Sequence, residues 1–250
     1  MNAYTVVTYR QRPDLIPVAD DLTAESWPEF MLNDTVANRL FPRLEVDFPD
    51  FQFLLLDGGN AVIGVGNSIP VAWDGLSASL SDDGWDWVLE QGFSGLENGV
   101  VPNTLSALSI SIPPSRRGQG LSRVMVEAMV KLAADHGFGN LIAPVRPNQM
   151  HRYPLTPVER YARWTNDDGA PFDAWMRVHW RLGAEIVKPC PRSMRIEGSV
   201  QQWQDWTGMR FPETGDYIVP GALAPVRIER EADRGIYVEP NVWMRHRIGD

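Results

Sequence analysis

The chain contains a single cysteine, Cys190, among 250 residues. One thiol excludes an internal disulfide, and its setting between Pro189 and Pro191 is not that of a catalytic thiol. Histidines are also few, four in all. No His, Cys and Asp grouping has metal-ligand spacing, so no metal is expected. No apolar run approaches the length that spans a bilayer, which argues against a membrane partner. The opening residues, Met1 to Thr5, lack a basic region followed by an apolar run. No secretory signal is read there, and a cytoplasmic location is expected. Gly-x-Ser-x-Gly is absent, as is a phosphate loop ending in Lys. Positive charge is short, with 23 Lys and Arg against 32 Asp and Glu. A net charge of −9 repels nucleic acid in bulk and favours small molecules or cationic partners.

What remains is an ordinary globular composition, 44% hydrophobic and 22% charged. Ten tryptophans stand out. Trp73, Trp85, Trp87, Trp164, Trp175, Trp180, Trp203 and Trp206 fit either core packing or an aromatic-lined pocket. Along the chain, residues 4–9 read as a first strand and 13–38 as two short helices broken before Pro28. Residues 51–56 and 61–71 read as a hairpin joined by Asp57-Gly58-Gly59-Asn60. Gly64 and Gly66 in its second strand mark a bulge or close packing. Residues 73–103 look like an insertion with a helix over 83–91, capped by Asp82 or Asp83.

The most informative stretch is Pro114-Ser115-Arg116-Arg117-Gly118-Gln119-Gly120-Leu121-Ser122. A strand over 105–112 leads into it and a helix over 121–136 leaves it. That order aims backbone N–H groups outward at a helix N-terminus, which with two arginines suits a phosphate-bearing ligand. Simple alternation in the strand puts Ser106, Leu108, Ile110 and Ile112 on one face. Leu105, Ala107, Ser109 and Ser111 then share the other. Gly137 and Phe138 read as the helix stop. A short strand follows over 141–145, then a Pro-rich loop to Pro157. Thr156-Pro157-Val158-Glu159 reads as a capping box opening a helix to about Trp164. Asp173 reads as the N-cap of a helix over 174–182 ending at Gly183. Strands are expected over 184–187 and 193–197, a helix over 200–206, and a strand pair over 226–230 and 235–238.

This order of elements, with Arg117-Gly118-Gln119-Gly120-Leu121-Ser122 at its centre, resembles the GNAT superfamily of N-acetyltransferases. The family's loop reads (Gln/Arg)-x-x-Gly-x-(Gly/Ala), and Ser122 departs from it only by a small side chain. The resemblance covers residues 105–187. It implies an α/β fold with a mixed central sheet flanked by helices, in one domain over 1–250. The core would occupy about 1–200, with 73–103 inserted and 200–250 as a C-terminal extension. It also implies acetyl-coenzyme A, or another acyl-coenzyme A, as co-substrate in a wedge between strands 105–112 and 141–145. Ile110 and Ile112 would hold the pantetheine arm by their backbone. The amides of Arg117, Gly118, Gln119, Gly120, Leu121 and Ser122 would hold the pyrophosphate, with Asn148 beside them.

Direct transfer to an amine requires that the amine lose a proton and that the thiolate gain one. Where the family places a Glu base, this chain has Ser109, which can orient a relaying water. Where the family places a Tyr acid, it has His179, which can serve as acid or base. His151 is a second candidate histidine. Ser111, His151 and Tyr153 are expected on the acceptor side. His136 sits at a helix C-terminus and His246 near the tail, and neither is expected to act. The expected acceptor is a small amine, and a homodimer stays open. Two other readings also stay open. One is an acyl-coenzyme A sensor without catalysis; the other is an enzyme acting on acyl-coenzyme A without an amine, as in decarboxylation.

Overall fold

Runs of alternating β-branched and aromatic residues become the strands of one twisted mixed sheet in the computed structural model, which describes residues 4–249. Met1, Asn2 and Ala3, within the stretch read as lacking a secretory signal, lie outside those residues, as does Asp250. The chain runs β1 (Thr5–Thr8), α1 (Ile16–Ala24), α2 (Thr35–Leu40), α3 (Leu44–Asp47), β2 (Gln52–Leu56) and β3 (Val62–Val71). It continues with α4 (Gly84–Glu97), β4 (Thr104–Ser111), α5 (Leu121–Asp135), β5 (Asn140–Val145), α6 (Val158–Tyr161) and α7 (Ala174–Arg181). It closes with β6 (Glu185–Gly198), α8 (Val200–Thr207), β7 (Gly215–Tyr217), β8 (Val226–Glu229) and β9 (Arg234–Arg247). The sheet order is β1-β2-β3-β4-β5-β9-β8-β7, with β6 also paired to β9. Among the described residues no helix is long and apolar enough to cross a membrane.

Helices cover both faces of the sheet. On one face α4 and α8 bury Trp85, Leu89, Phe93 and Trp203 against Ile69, Leu108 and Trp243. On the other, α5 lays Leu121, Met125, Met129 and Ala133 over Phe53, Leu105 and Leu141. This i, i+4, i+8, i+12 stripe is what drives α5 onto the sheet, at about 1.5–3 kcal/mol for each large buried side chain. Close packing explains Gly66, where a Cβ would overlap the Phe53 ring. Several local signals act as read. Gly137 (φ +74°) ends α5, and the Phe138 N–H reaches back to the Ala133 carbonyl at 3.0 Å. The Asp173 carboxylate accepts from the Trp175 and Met176 N–H groups at 2.9 and 3.2 Å.

Other expectations need correction. The alternation in β4 breaks at Leu108. Asn67 faces Ser109 while Ser68 faces Ala107, so Leu108 is an extra residue with no partner on β3. This bulge reverses the parity beyond it. Ile110 and Ile112 therefore pack with Leu105 and Ala107 on the α5 side, not with Leu108. The capping box at Thr156 does not form, because Pro157 itself occupies the N-cap position and α6 is a single turn. Asp83 stands at the N-cap of α4 as expected, but neither its side chain nor that of Asp82 caps the helix; they pair with Arg192 at 3.0 Å and Lys188 at 2.7 Å. The α4 helix also runs past residue 91 to Glu97. Strands 184–187 and 193–197 merge into β6, with a register break between Cys190 and Met194 that takes in Pro191, while Pro189 stays opposite Val242. Strand 235–238 is only the start of β9, which pairs with β5, β6 and β8 and so sits inside the sheet.

Candidate active site

β4 and β5 are parallel partners only at Thr104–Asn140, Leu105–Leu141 and Ser106–Ile142. Beyond that point β4 keeps β3 and β5 keeps β9, so the two strands splay and leave facing backbone edges without a strand partner. A second gap lies along β9. β5 covers its residues 242–247 and β8 its residues 234–236, so the edge between them is open at Glu239. One cleft of about 920 Å³ connects the two gaps, with Arg117 and Ser122 at one end and Glu239 and Asn241 at the other.

The phosphate-loop end is built by backbone. Gly118 (φ +78°) and Gly120 (φ +75°) adopt the left-handed conformation, and a Cβ on either would meet nothing, so the need for glycine is conformational. The N–H groups of Gly118, Gln119, Gly120, Leu121 and Ser122 donate to no backbone carbonyl of the described residues. Five open donors at the start of a fifteen-residue helix form an anion cradle. The two arginines divide their work. Arg116 is tied to Asp57 in the β2–β3 turn at 3.1 Å, whereas Arg117 lines the cleft.

Ser109, Ile110, Ser111, Ile112, Arg117, Ser122, Asn148, His151 and His179 all line this one cleft. Leu121, the first residue of α5, has its side chain buried in the core and stands outside the cleft lining. Tyr153 is not in the lining. It packs edge-on against Trp164 at 5.1 Å, within a cluster that includes Tyr161 and Phe172. His151 Nδ1 lies 3.1 Å from the Asn148 carbonyl. The Ser109 hydroxyl donates to Asn67 Oδ1 at 2.8 Å, and the Asn67 amide donates to Gln52 Oε1 at 3.2 Å. Ser111 Oγ is buried and has no partner among the described residues.

His179 stands on α7 with its ring edge-on to Trp175 at 4.6 Å. Its Nδ1 lies 3.0 Å from Nε2 of His246 on β9. Burial, and then the charge of His246, push His179 down to about 3. Burial pushes His246 down to about 4, with the Leu182 carbonyl acting the other way. Both imidazoles are therefore neutral at physiological pH, one donating to the other. His246 was not expected here, and no local signal marks it. Only the long-range pairing of β9 with β5 and β6 brings it to α7.

The inner end is aromatic and acidic. Trp27, Phe41 and Trp85 line it, and the Trp85 indole donates to the Leu108 carbonyl at 2.9 Å, pinning the bulge. Of the tryptophans singled out in the sequence, Trp85 and Trp175 reach the cleft. Glu239 is fully buried; its Oε2 accepts from Arg146 Nε at 2.8 Å and from the Tyr237 hydroxyl at 3.1 Å. Burial raises Glu239 despite Arg146. Behind it, burial and the charge of Asp34 push Asp86 up to about 8, and burial raises Asp34 as well. Three carboxyls thus crowd the inner wall against one arginine.

No family model matches the chain. An arginine N-acetyltransferase, avaD of Aspergillus versicolor, is 31% identical over 276 residues, covering 98% of this chain and 94% of the relative. Among solved structures, the loading GNATL domain of CurA from Lyngbya majuscula superposes with a TM-score of 0.66 at 17% identity, covering 98% of both chains. The GphF GNAT-like decarboxylase, in complex with isobutyryl-CoA, gives 0.58 at 15% identity, again over 98% of both. These structural likenesses speak for the fold.

Proposed function

The chain belongs to the GNAT superfamily of acyl-coenzyme A-dependent N-acetyltransferases, and we propose that it acetylates a small cationic amine by direct attack on acetyl-coenzyme A. The observation that carries this reading is the cleft that runs from Arg117 and Ser122, at the two ends of the loop with open amides, past the splayed strand edges and His179 to a buried carboxylate. The five N–H groups and Arg117 would hold the pyrophosphate. The free edge of β4 at Ile110, continued by Ile112, would take the pantetheine as an added strand facing β5. Asn148 and the Ser111 hydroxyl lie along that path.

The acceptor would enter at the inner end. Its apolar body meets Trp27, Phe41 and Trp85, and its cationic group meets Glu239, with the protonated Asp86 carboxyl behind it. The relative's named substrate, arginine, has that chemistry. His179 is the titratable group at the junction of the two halves. As a neutral imidazole it can take a proton from the amine or donate to the leaving sulfur. Ser109, its proton engaged by Asn67, forms a fixed part of the cleft wall beside this junction.

Thiol release from acetyl-coenzyme A, assayed with a panel of amines that includes L-arginine, tests the reading. The expected result is turnover with cationic amines and none with uncharged amides. Tight binding of acetyl-coenzyme A without turnover of any amine would overturn it. So would carbon dioxide release from malonyl-coenzyme A as the dominant activity.

A further inference from the structure

We propose that His246 completes a proton path leading from the cleft, through His179, to water in a second cavity between α5 and the end of α7. The proposal rests on the amine-transfer reading above. His179 lines the cleft, while His246 lines the second cavity, of about 360 Å³. The two rings meet between them, Nδ1 to Nε2 at 3.0 Å. His246 Nδ1, on the ring's other side, is buried and has no partner among the described residues. The Leu182 carbonyl acts on this ring, and Leu182 itself lines the second cavity, so the outer edge of the ring lies between that carbonyl and the cavity. Around this cavity α5 contributes Val130 and the end of α7 contributes Leu182 and Gly183. Its charged groups are Glu185, Arg245 and Arg247, with Glu185 held by Arg247 at 3.0 Å. The rear opening is therefore polar and suited to water.

The protons balance as follows. The acceptor's ammonium gives a proton to His179 Nε2. The Nδ1 proton of His179 passes to His246 Nε2, and His246 Nδ1 gives its own proton to cavity water. Both rings end neutral, with tautomers exchanged. The amine then attacks the thioester carbonyl, forming the C–N bond and breaking the C–S bond. The reverse transfer, from cavity water through His246 and His179 to sulfur, protonates the thiolate and restores both tautomers. The second proton of the amide nitrogen leaves to cleft water. In sum, nitrogen loses two protons, sulfur gains one, and one enters solvent. The low basicity of both rings fits a path that passes protons on without storing charge.

Two measurements test this. The first needs no substrate: nitrogen-15 histidine spectra of the whole protein, titrated downward from neutral pH. The expected result is two coupled neutral rings down to about pH 5, with His246→Gln shifting the Nδ1 signal of His179. A His179 that titrates near its ordinary value, indifferent to His246→Gln, would overturn the path. The second is steady-state kinetics with acetyl-coenzyme A and the best amine of the panel. His246→Gln is expected to lower kcat by about tenfold to a hundredfold with KM for both substrates unchanged, a loss that shrinks as alkaline buffer deprotonates the amine. Val130→Phe, which fills the cavity and spares both rings, should show the same kcat loss and pH dependence if His246→Gln folds poorly. A kcat deficit constant across pH, or one confined to KM, would overturn the proposal. If the wild type acetylates no amine, the amine reading fails, and the proton path to an acceptor fails with it. The spectra then show separately whether the paired rings exist.

Discussion

Ser109 and Arg117 occupy positions whose residue types suggest chemistry, yet their neighbours assign them different work. The Ser109 hydroxyl is committed to Asn67, in a chain of amides that ends at Gln52 across β2, β3 and β4. Ser109→Ala strands the Asn67 carbonyl oxygen. It is expected to cost about 1–2 kcal/mol in urea denaturation while kcat stays within about threefold. A hundredfold loss of kcat at unchanged stability would instead place Ser109 in the proton path. The adjacent arginines separate in the same way. Arg116 holds Asp57 with 41% of its side chain exposed, so Arg116→Ala should barely move stability or kinetics. Arg117 has no carboxylate of its own among the described residues and reaches the cleft. Arg117→Ala is expected to raise KM for acetyl-coenzyme A about tenfold, through loss of a charge-assisted contact, with the melting temperature unchanged.

At the level of elements, the bulge in β4 organises the site. Leu108 has no partner on β3, its carbonyl takes the Trp85 indole, and beyond it Ser109 and Ser111 face the opposite side from Ile110 and Ile112. Deleting Leu108 restores regular pairing and turns either the serines or the isoleucines to the wrong face. Circular dichroism should then show a folded protein whose affinity for acetyl-coenzyme A has dropped by at least about tenfold; full retention of binding would remove the bulge from the wedge. The same bulge shows where the sequence is silent. Strand, glycine turn and helix are local patterns, so residues 105–136 were legible, down to the Gly137 stop. A bulge depends on register with β3, and alternation along β4 alone gave the reverse parity. His246 and Glu239 were invisible for a related reason. Both lie on β9, whose place comes from pairings with β6, 37 to 60 residues away in sequence, and with β5, 97 to 107 residues away. The stretch from residue 200 onward, read as an extension, carries no motif, yet it supplies the inner end of the cleft.

The whole molecule carries its buried titratable groups in two sets that oppose each other in pH. His179 and His246 are pushed down to about 3 and about 4, below their ordinary value. Unfolding between those values and about pH 6.5 takes up protons, so their contribution is fully present above about 6.5 and is lost on acidification. Asp86 is pushed up to about 8, and Asp34 and Glu239 are raised in the same direction. The folded state holds the Asp86 proton where the unfolded state has released it, so stability falls as pH rises from about 4 to about 8, and the raised Asp34 and Glu239 act in the same direction. Denaturant midpoints measured across that range separate the two sets. Asp86→Asn should gain on the wild type steadily with rising pH, whereas His246→Gln should lose less than the wild type on acidification below about 6.5. Binding reads the same acids from the other side. A cation seated against Glu239 lowers the carboxyls behind it, so a cationic acceptor must release protons when it binds near neutral pH. Calorimetry of L-arginine binding in two buffers of different ionisation enthalpy measures that release. Asp86→Asn should diminish it, and heats that do not depend on the buffer would show that the acceptor's positive charge lies away from this wall.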